Sequence, residues 1–597
     1  MASVLLRPRG AARWVTVCAL FVGVPVVAWA QGPRVATTPV GKSKDAEPPA
    51  RASESTGFLE IEEPTRLINQ HFVKTWKSQG LIPAERCDDY EFIRRATIDI
   101  VGRVATVAEI ERYLKDPPEA RRGLLLARLL YGEHKYLYAR NWANLWTTWL
   151  MTRTGPPLAR RQMQLWLEDA FSTETVSPEG KPVPKPHMSH KEMVEKLVTA
   201  TGKANDNGAV NFILAHRGAA HPAGQFAELG AFDAVPITAR SVRLFLGYQI
   251  QCTQCHDHKT SAHWKQKHFW GVNAFYRQIR VEGIAQANMQ MPAAVMTLGD
   301  DPTYNSKGLI SYEKLPKGTF FVTDAVSVDG LRIPVGSKQT RREHLAEYFV
   351  KHKNFNQAYV NRVWGQLFGR GLNVSPACDD MGDTNDLVHP ELIDSLADAF
   401  VKTGAHDPRK LIQWICASDV YNLKPVANAT NDGKNRDKFD PEPFISRMPL
   451  KMMTPEQLLE SLITATQPRE PEGLRQRWLA KLVRNFGDDE GNEAVYTGTI
   501  LQALLMMNGP ELEEAIARSV TLQEARKIAV NDTTGKKTMD YLFLTTLNRP
   551  ATPKEFQQFR PLLALRGPMA EKDRAEGGPL IDAFWALLNS GAFMLNH

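Results

Sequence analysis

The chain has 597 residues, 43% of them hydrophobic and 23% charged, with a formal net charge of +7. That length exceeds the roughly 250–300 residues one hydrophobic core spans, so two or three domains are expected. Lysines and arginines are scattered singly, which excludes the basic blocks of a nucleic-acid footprint and leaves nucleic acid out of the expected partners.

The first residues carry an address. Arg7, Arg9 and Arg13 precede an apolar run from Trp14 to Val27, and Ala28-Trp29-Ala30 then offers small residues where a signal peptidase reads. Residues 1–30 are therefore expected to be a cleaved signal peptide, because the run is shorter than the roughly 20 residues of a spanning helix. No later stretch is long and apolar enough to span, so the mature chain is expected to be periplasmic, at the cell surface or secreted, without a transmembrane segment. Residues 31–57 are rich in Pro, Ser, Thr, Ala and Lys and read as a flexible linker.

From residue 58 helical periodicity dominates, and the expected fold class is mainly α: a multi-helical two-domain protein with a small β-hairpin insert. Leu67, Phe72, Val73 and Trp76 form one apolar stripe, Leu124, Leu125, Leu129 and Leu130 a second, and Ala143, Leu145, Trp146, Trp149 and Leu150 a third. Thr454-Pro455-Glu456-Gln457 has the chemistry of a helix start, with a Thr cap, Pro in the first turn and Gln able to close a capping box. Gly102–Glu109 and Asn548–Glu555 echo one another, each an Arg-containing loop leading to a Thr cap with Glu three residues on. Alternation around Asp329-Gly330 predicts a hairpin over Thr319–Val335. The resulting division is a helical region at 58–280, an irregular or β insert at 281–340, and a second helical region at 341–597.

The pointed chemistry lies at Gln251-Cys252-Thr253-Gln254-Cys255-His256-Asp257-His258. Cys-x-x-Cys-His is the attachment pattern of covalent haem. Two thiols three positions apart can each add to one vinyl group while the adjacent imidazole ligates the iron. The run from Ala239 to Ile250 is expected to be a helix ending at the first Cys. Trp264, Phe269, Trp270, Phe275 and Tyr276 follow and are candidates to shield a porphyrin. Two other chemistries suit the cluster: zinc held by Cys252, Cys255 and two of His256, His258, His263 and His268, or a Cys252–Cys255 disulfide. For a sixth iron ligand the candidates are His263, His268, Met289, Met291 and Met296. Asp257 and His258 are candidates to orient His256 or the nearby backbone.

These residues resemble a known family. Cys-x-x-Cys-His-Asp-His, together with Ile93-Arg94-Arg95-Ala96-Thr97-Ile98-Asp99-Ile100-Val101-Gly102-Arg103, is similar to the cytochrome-like domains of unknown function widespread in planctomycetes. Many members carry Pro after the second His, where this chain has Lys259. Ala358–Gly371, His389-Pro390-Glu391-Leu392 and Leu542–Pro550 resemble the companion domain usually fused to it. The resemblance implies an exported, haem-bearing protein of unassigned reaction. The expected role is electron transfer or haem-dependent redox chemistry with a redox partner protein or an extracellular polymer. The alternatives are a non-redox scaffold or binding protein with a structural zinc site and an exported polysaccharide-acting enzyme with accessory haem.

Two further groups invite a reading. Asn361, Arg362 and Arg370 suit either an anion or a network that caps carbonyls. Asp379, Asp380, Asp383 and Asp386 suit calcium or a solvated loop, but lack EF-hand spacing.

Overall fold

The computed structural model describes residues 61–596, apart from 154–155, 178–179, 284–295, 315–317, 383–384, 434–438, 470, 487–508 and 564–577. The expected signal peptide, the linker, Met289, Met291 and Asp383 lie outside the described residues. The fold is mainly α, with strands only in small antiparallel pairs and one three-stranded sheet.

The Glu63–Ser78 helix buries Ile68, Phe72 and Trp76, which recur every four residues on one face. Val73, expected on that stripe, is 59% exposed. One residue on from Phe72 is a rotation of about 100°, which carries it off the face. The Lys135–Met151 helix is buried nearly all round and keeps Ala143, Leu145, Trp146, Trp149 and Leu150 inside, as expected. Thr454 caps the Pro455–Thr466 helix in a reciprocal box with Gln457, as its sequence predicts.

Helix Asp89–Val101 is the hub. Every residue from Phe92 to Val101 is buried, including Arg94, Arg95 and Asp99. A buried charge needs partners, and each has them. Arg94 donates to the carbonyls of Thr546, Ala592 and Phe593 at 3.0, 3.0 and 2.7 Å. Arg95 donates to those of Tyr421 and Leu423. Asp99 accepts from Lys451 Nζ at 2.6 Å, Tyr421 Oη at 2.7 Å and Asn596 Nδ2 at 2.7 Å. The helix ends at Gly102 with φ of 79°, and a Cβ there would stand 2.5 Å from Asn141 Oδ1. Conformation and close approach both demand glycine.

The echoed loops adopt the same structure. Gly102 and Asn548 are left-handed residues ending their helices. Arg103 and Arg549 then each grip a Glu six positions on, Glu109 and Glu555, through paired hydrogen bonds of 2.7–2.9 Å. Thr106 and Thr552 each accept the amide of that same Glu. The loops also meet, because Asn548 exchanges hydrogen bonds with the backbone of Ala105 at 3.1 and 2.7 Å.

The larger hydrophobic core runs from Ile68 to Met448 and joins helices on both sides of residues 281–340. The second gathers Met453 to Phe593 and adds Ile98 and Val104 from the hub region. The division between cores therefore falls near residue 450. Within 281–340 the hairpin pairs Ile310–Lys314 with Thr319–Thr323, upstream of the place expected. The Asp329-Gly330 turn closes only a single bridge, Val326 to Arg332. Pro334 removes a backbone donor from the strand that would have continued it.

Candidate functional site

Helix Val235–Leu246 leads to the Cys/His segment but stops five residues short of Cys252. Gly247 is left-handed, with φ of 68°, and terminates it. The expectation of a helix ending at the first Cys is corrected accordingly: Cys252 sits instead on a 3-10 turn, Gln251–Gln254, followed directly by Cys255. Thr253 is the buried member of that turn, its hydroxyl bound to the Ile250 carbonyl at 2.7 Å. Burying Thr253 leaves Cys252 half-buried and Cys255 exposed, both as free thiols. Cys87, Cys378 and Cys416 are free as well. Burial pushes the Cys252 thiol above its ordinary range.

His256 is half-buried, and its Nδ1 lies 2.7 Å from the Asp257 carbonyl. A carbonyl only accepts, so Nδ1 carries a proton, and in the neutral ring the lone pair is then on Nε2. Asp257 itself accepts the Gln266 amide at 3.1 Å and so caps helix Gln266–Asn273. Trp270 Nε1 donates to the Gln254 carbonyl at 3.1 Å, fastening the same helix back to the turn.

The other histidines are turned to local work. His258 Nδ1 accepts the amides of Thr260 and Ser261, closing the loop that follows. His268 Nδ1 accepts the Lys265 amide at 3.1 Å. Burial, reinforced by Lys267, lowers His268 to about 4, so its ring is neutral near pH 7. His263 is exposed and stacks on His268, ring centres 5.4 Å apart. Among the described residues no three His, Cys, Asp or Glu side chains converge as a metal-holding group. Met296 is buried in the larger core, as are Phe269, Phe275 and Tyr276. Those three aromatics pack the helices rather than line the turn.

A cleft of about 580 Å³ is lined by Tyr248, which precedes the segment in the chain, by His263 and Trp264, which follow it, and by Lys353, Gln357 and Met381. Its far wall comes from the second helical region, and sequence reasoning missed it. Met381 donates its amide to the Gly247 carbonyl at 2.7 Å, and a Cβ on Gly247 would stand 3.0 Å from its sulfur. Arg243 Nε and Gln249 Nε2 both donate to Asp379, at 2.7 and 3.3 Å. Arg362 lies 3.9 Å from the same carboxylate and 5.6 Å from the centre of the Trp149 ring. Burial alone would raise Asp379, but the two guanidiniums outweigh it and hold the carboxyl below its ordinary value.

The network outcome therefore holds for Asn361, Arg362 and Arg370. Asn361 bonds to Asn373, the Cys378 carbonyl and the Leu372 amide. Arg370 donates to the carbonyls of Asn373 and Val374. Asp379 is committed to arginine, and Asp380 Oδ1 accepts the Gly382 amide. The sequence signals for this wall were the Asn361, Arg362 and Arg370 group, the acidic run from Asp379, and the resemblance of residues 358–371 to a companion domain.

No helix among the described residues is long and apolar enough to cross a membrane. No curated protein and no solved structure matches the chain. Residues 67–281 match the family model PSCyt2, a protein of unknown function (DUF1549), and residues 341–483 match PSD1, a protein of unknown function (DUF1553). In that order they are the domain and companion implied by the motif resemblance, and the chain belongs to the proteins that join these two domains of unknown function.

Proposed function

We propose that the chain is an exported, c-type cytochrome-like protein that carries one covalent haem on Cys252 and Cys255, with His256 as the proximal iron ligand. The observation that carries this reading is the state of the three groups. Two unbridged thiols share one turn, and the neighbouring imidazole has its Nδ1–H bound to a carbonyl. That bond fixes the tautomer in which Nε2 binds a metal, the arrangement usual for ligating histidines. His258 and His268 direct their Nδ1 atoms at backbone amides, so zinc has less support than haem.

Attachment adds each Sγ–H across a haem vinyl group. A carbon–sulfur bond forms, the thiol hydrogen ends on the second vinyl carbon, and no electrons are exchanged with an outside reagent. Bound haem supplies one-electron chemistry. The chain's own part is to orient the imidazole through the Asp257 carbonyl and to tie that loop to the following helix through the Asp257 carboxylate. The role that follows is electron transfer with a redox partner protein, or redox chemistry on an extracellular polymer.

The test is expression with export and haem-attachment machinery, followed by intact mass and visible spectroscopy. The expected product is heavier by one haem and has a Soret band that survives acid–acetone extraction. Both signs vanish in the Cys252→Ser, Cys255→Ser double variant. A colourless chain of polypeptide mass overturns the reading, and stoichiometric zinc in it would replace haem with a structural metal.

A further inference from the structure

A second cleft, of about 540 Å³, lies away from the Cys/His turn, between helices Lys135–Met151 and Pro157–Phe171 of the larger core and Pro455–Thr466 and Pro471–Phe486 of the second. Its size falls within the about 300–1,000 Å³ of ligand-binding clefts. Among the described residues lining it are five arginines, Arg140, Arg153, Arg160, Arg161 and Arg475, against three carboxylates, Glu456, Glu460 and Glu472. The pairing between them is uneven. Arg153 grips Glu456 in a two-bond fork of 2.6 and 3.0 Å. Glu460 serves both Arg140, at 3.3 Å, and Arg475. Arg161 is 54% exposed, with its nearest carboxylate, Glu168, at 3.8 Å.

We propose that this cleft binds an oxyanion-bearing ligand, one carrying sulfate or carboxylate groups. Three features of the lining support it. The lining is net positive although three carboxylates are built into it. Arginine presents a planar fork that matches two oxygens of such a group. The arginines also arise from opposite walls, Arg160 and Arg161 on one helix and Arg475 on another, so one ligand bridges both cores. Asn144, Thr147, Gln164 and Gln476 add neutral hydrogen-bonding groups beside them, which suits a ligand with hydroxyls as well as charge. The proposal is independent of haem and stands or falls separately from it.

Titration calorimetry and thermal unfolding of the full chain test it, at constant ionic strength. The probes are inorganic sulfate, a sulfated oligosaccharide and the same oligosaccharide desulfated. Binding of either sulfated probe, with a raised unfolding midpoint, is expected, and the two arms tell a free ion from a carbohydrate-borne one. Arg161→Gln should weaken that binding about tenfold or more, the scale of one charge-assisted hydrogen bond. Its exposure keeps the fold intact, and Arg66→Gln, remote and 58% exposed, should change nothing. No binding beyond the desulfated probe, or equal binding by Arg161→Gln, overturns the proposal.

Discussion

Replacing Lys451 with Met is the sharpest probe of the hub, because the new side chain nearly fills the old volume and only the ammonium is lost. That ammonium donates to Asp99 at 2.6 Å and to the carbonyls of Gln366 and Leu367 at 2.7 and 2.8 Å. The two carbonyls close the Asn354–Phe368 helix. Asp99 would keep its hydrogen bonds from Tyr421 and Asn596 but lose the one cation that contacts it among the described residues, while 1% exposed. Breaking a buried pair from one side costs about 3–5 kcal/mol, and two unsatisfied carbonyls add about 1–3 kcal/mol each where water cannot reach them. The expected loss for Lys451→Met is thus about 5 kcal/mol or more, read as a shift of the urea midpoint with tryptophan fluorescence. Asp99→Asn alone should cost about 3 kcal/mol or more, since the ammonium is then stranded. The double variant should be less destabilised than the sum of the singles by about 2 kcal/mol or more. A loss below about 1 kcal/mol for Lys451→Met, or additive singles, would refute the reasoning and mean that water or a rearranged side chain satisfies the site.

Other outcomes follow from the same geometry. The Arg549 fork holds Glu555 at about 2, and the Arg103 fork, working against burial, holds Glu109 at about 2. Both carboxyls lie below their usual 4.5 in the folded chain, so the stability they contribute is present above that value and lost as pH falls toward 2. Acid unfolding should therefore be shallower over that window in the Glu109→Gln, Glu555→Gln double variant, and an unchanged slope would contradict the forks. Asp257→Ala removes the acceptor of the Gln266 amide and should cost about 1 kcal/mol. Amide exchange should quicken across Gln266–Asn273, and unaltered protection there would mean the cap is idle. His256→Ala should leave any covalent haem mass in place while shifting the Soret band, since the thioethers do not need the imidazole; an unshifted band would remove His256 as ligand. Gly230→Ala meets the Arg277 carbonyl at 2.4 Å from a left-handed position, so a clear drop in unfolding temperature is expected, and a neutral outcome would show that loop to be yielding.

Much of the local structure was legible because it is written locally. A Thr cap with Gln or Glu three residues on announces itself within four positions, and Thr454, Thr106 and Thr552 all behave as such residues do. Helical stripes were legible to within a residue: Val73 is exposed, Leu67 and Leu124 are only half-buried, and Leu126 takes the buried place expected for Leu124. The Cys/His segment was found because its chemistry is contiguous. What could not be read is what depends on residues far apart. Nothing near Cys252 points to Met381 or Asp379, which complete its surroundings from the second helical region. Arg94, Arg95 and Asp99 looked like a family signature, but their meaning lies in carbonyls, an ammonium, a phenol and a side-chain amide more than 300 positions away. The hairpin was misplaced because apolar alternation continues past Thr323 although the backbone pairing does not.

The span of Arg94's hydrogen bonds has a consequence for how the molecule is built. Its guanidinium is satisfied by carbonyls 498 and 499 residues downstream, so the helix bearing it cannot reach its final state until residues 592–596 have emerged and docked. During synthesis that guanidinium and the neighbouring carboxylate must remain hydrated, holding the first helices apart long after they have formed. Closure between such distant partners is slow, so this hub is among the last parts of the molecule to be completed.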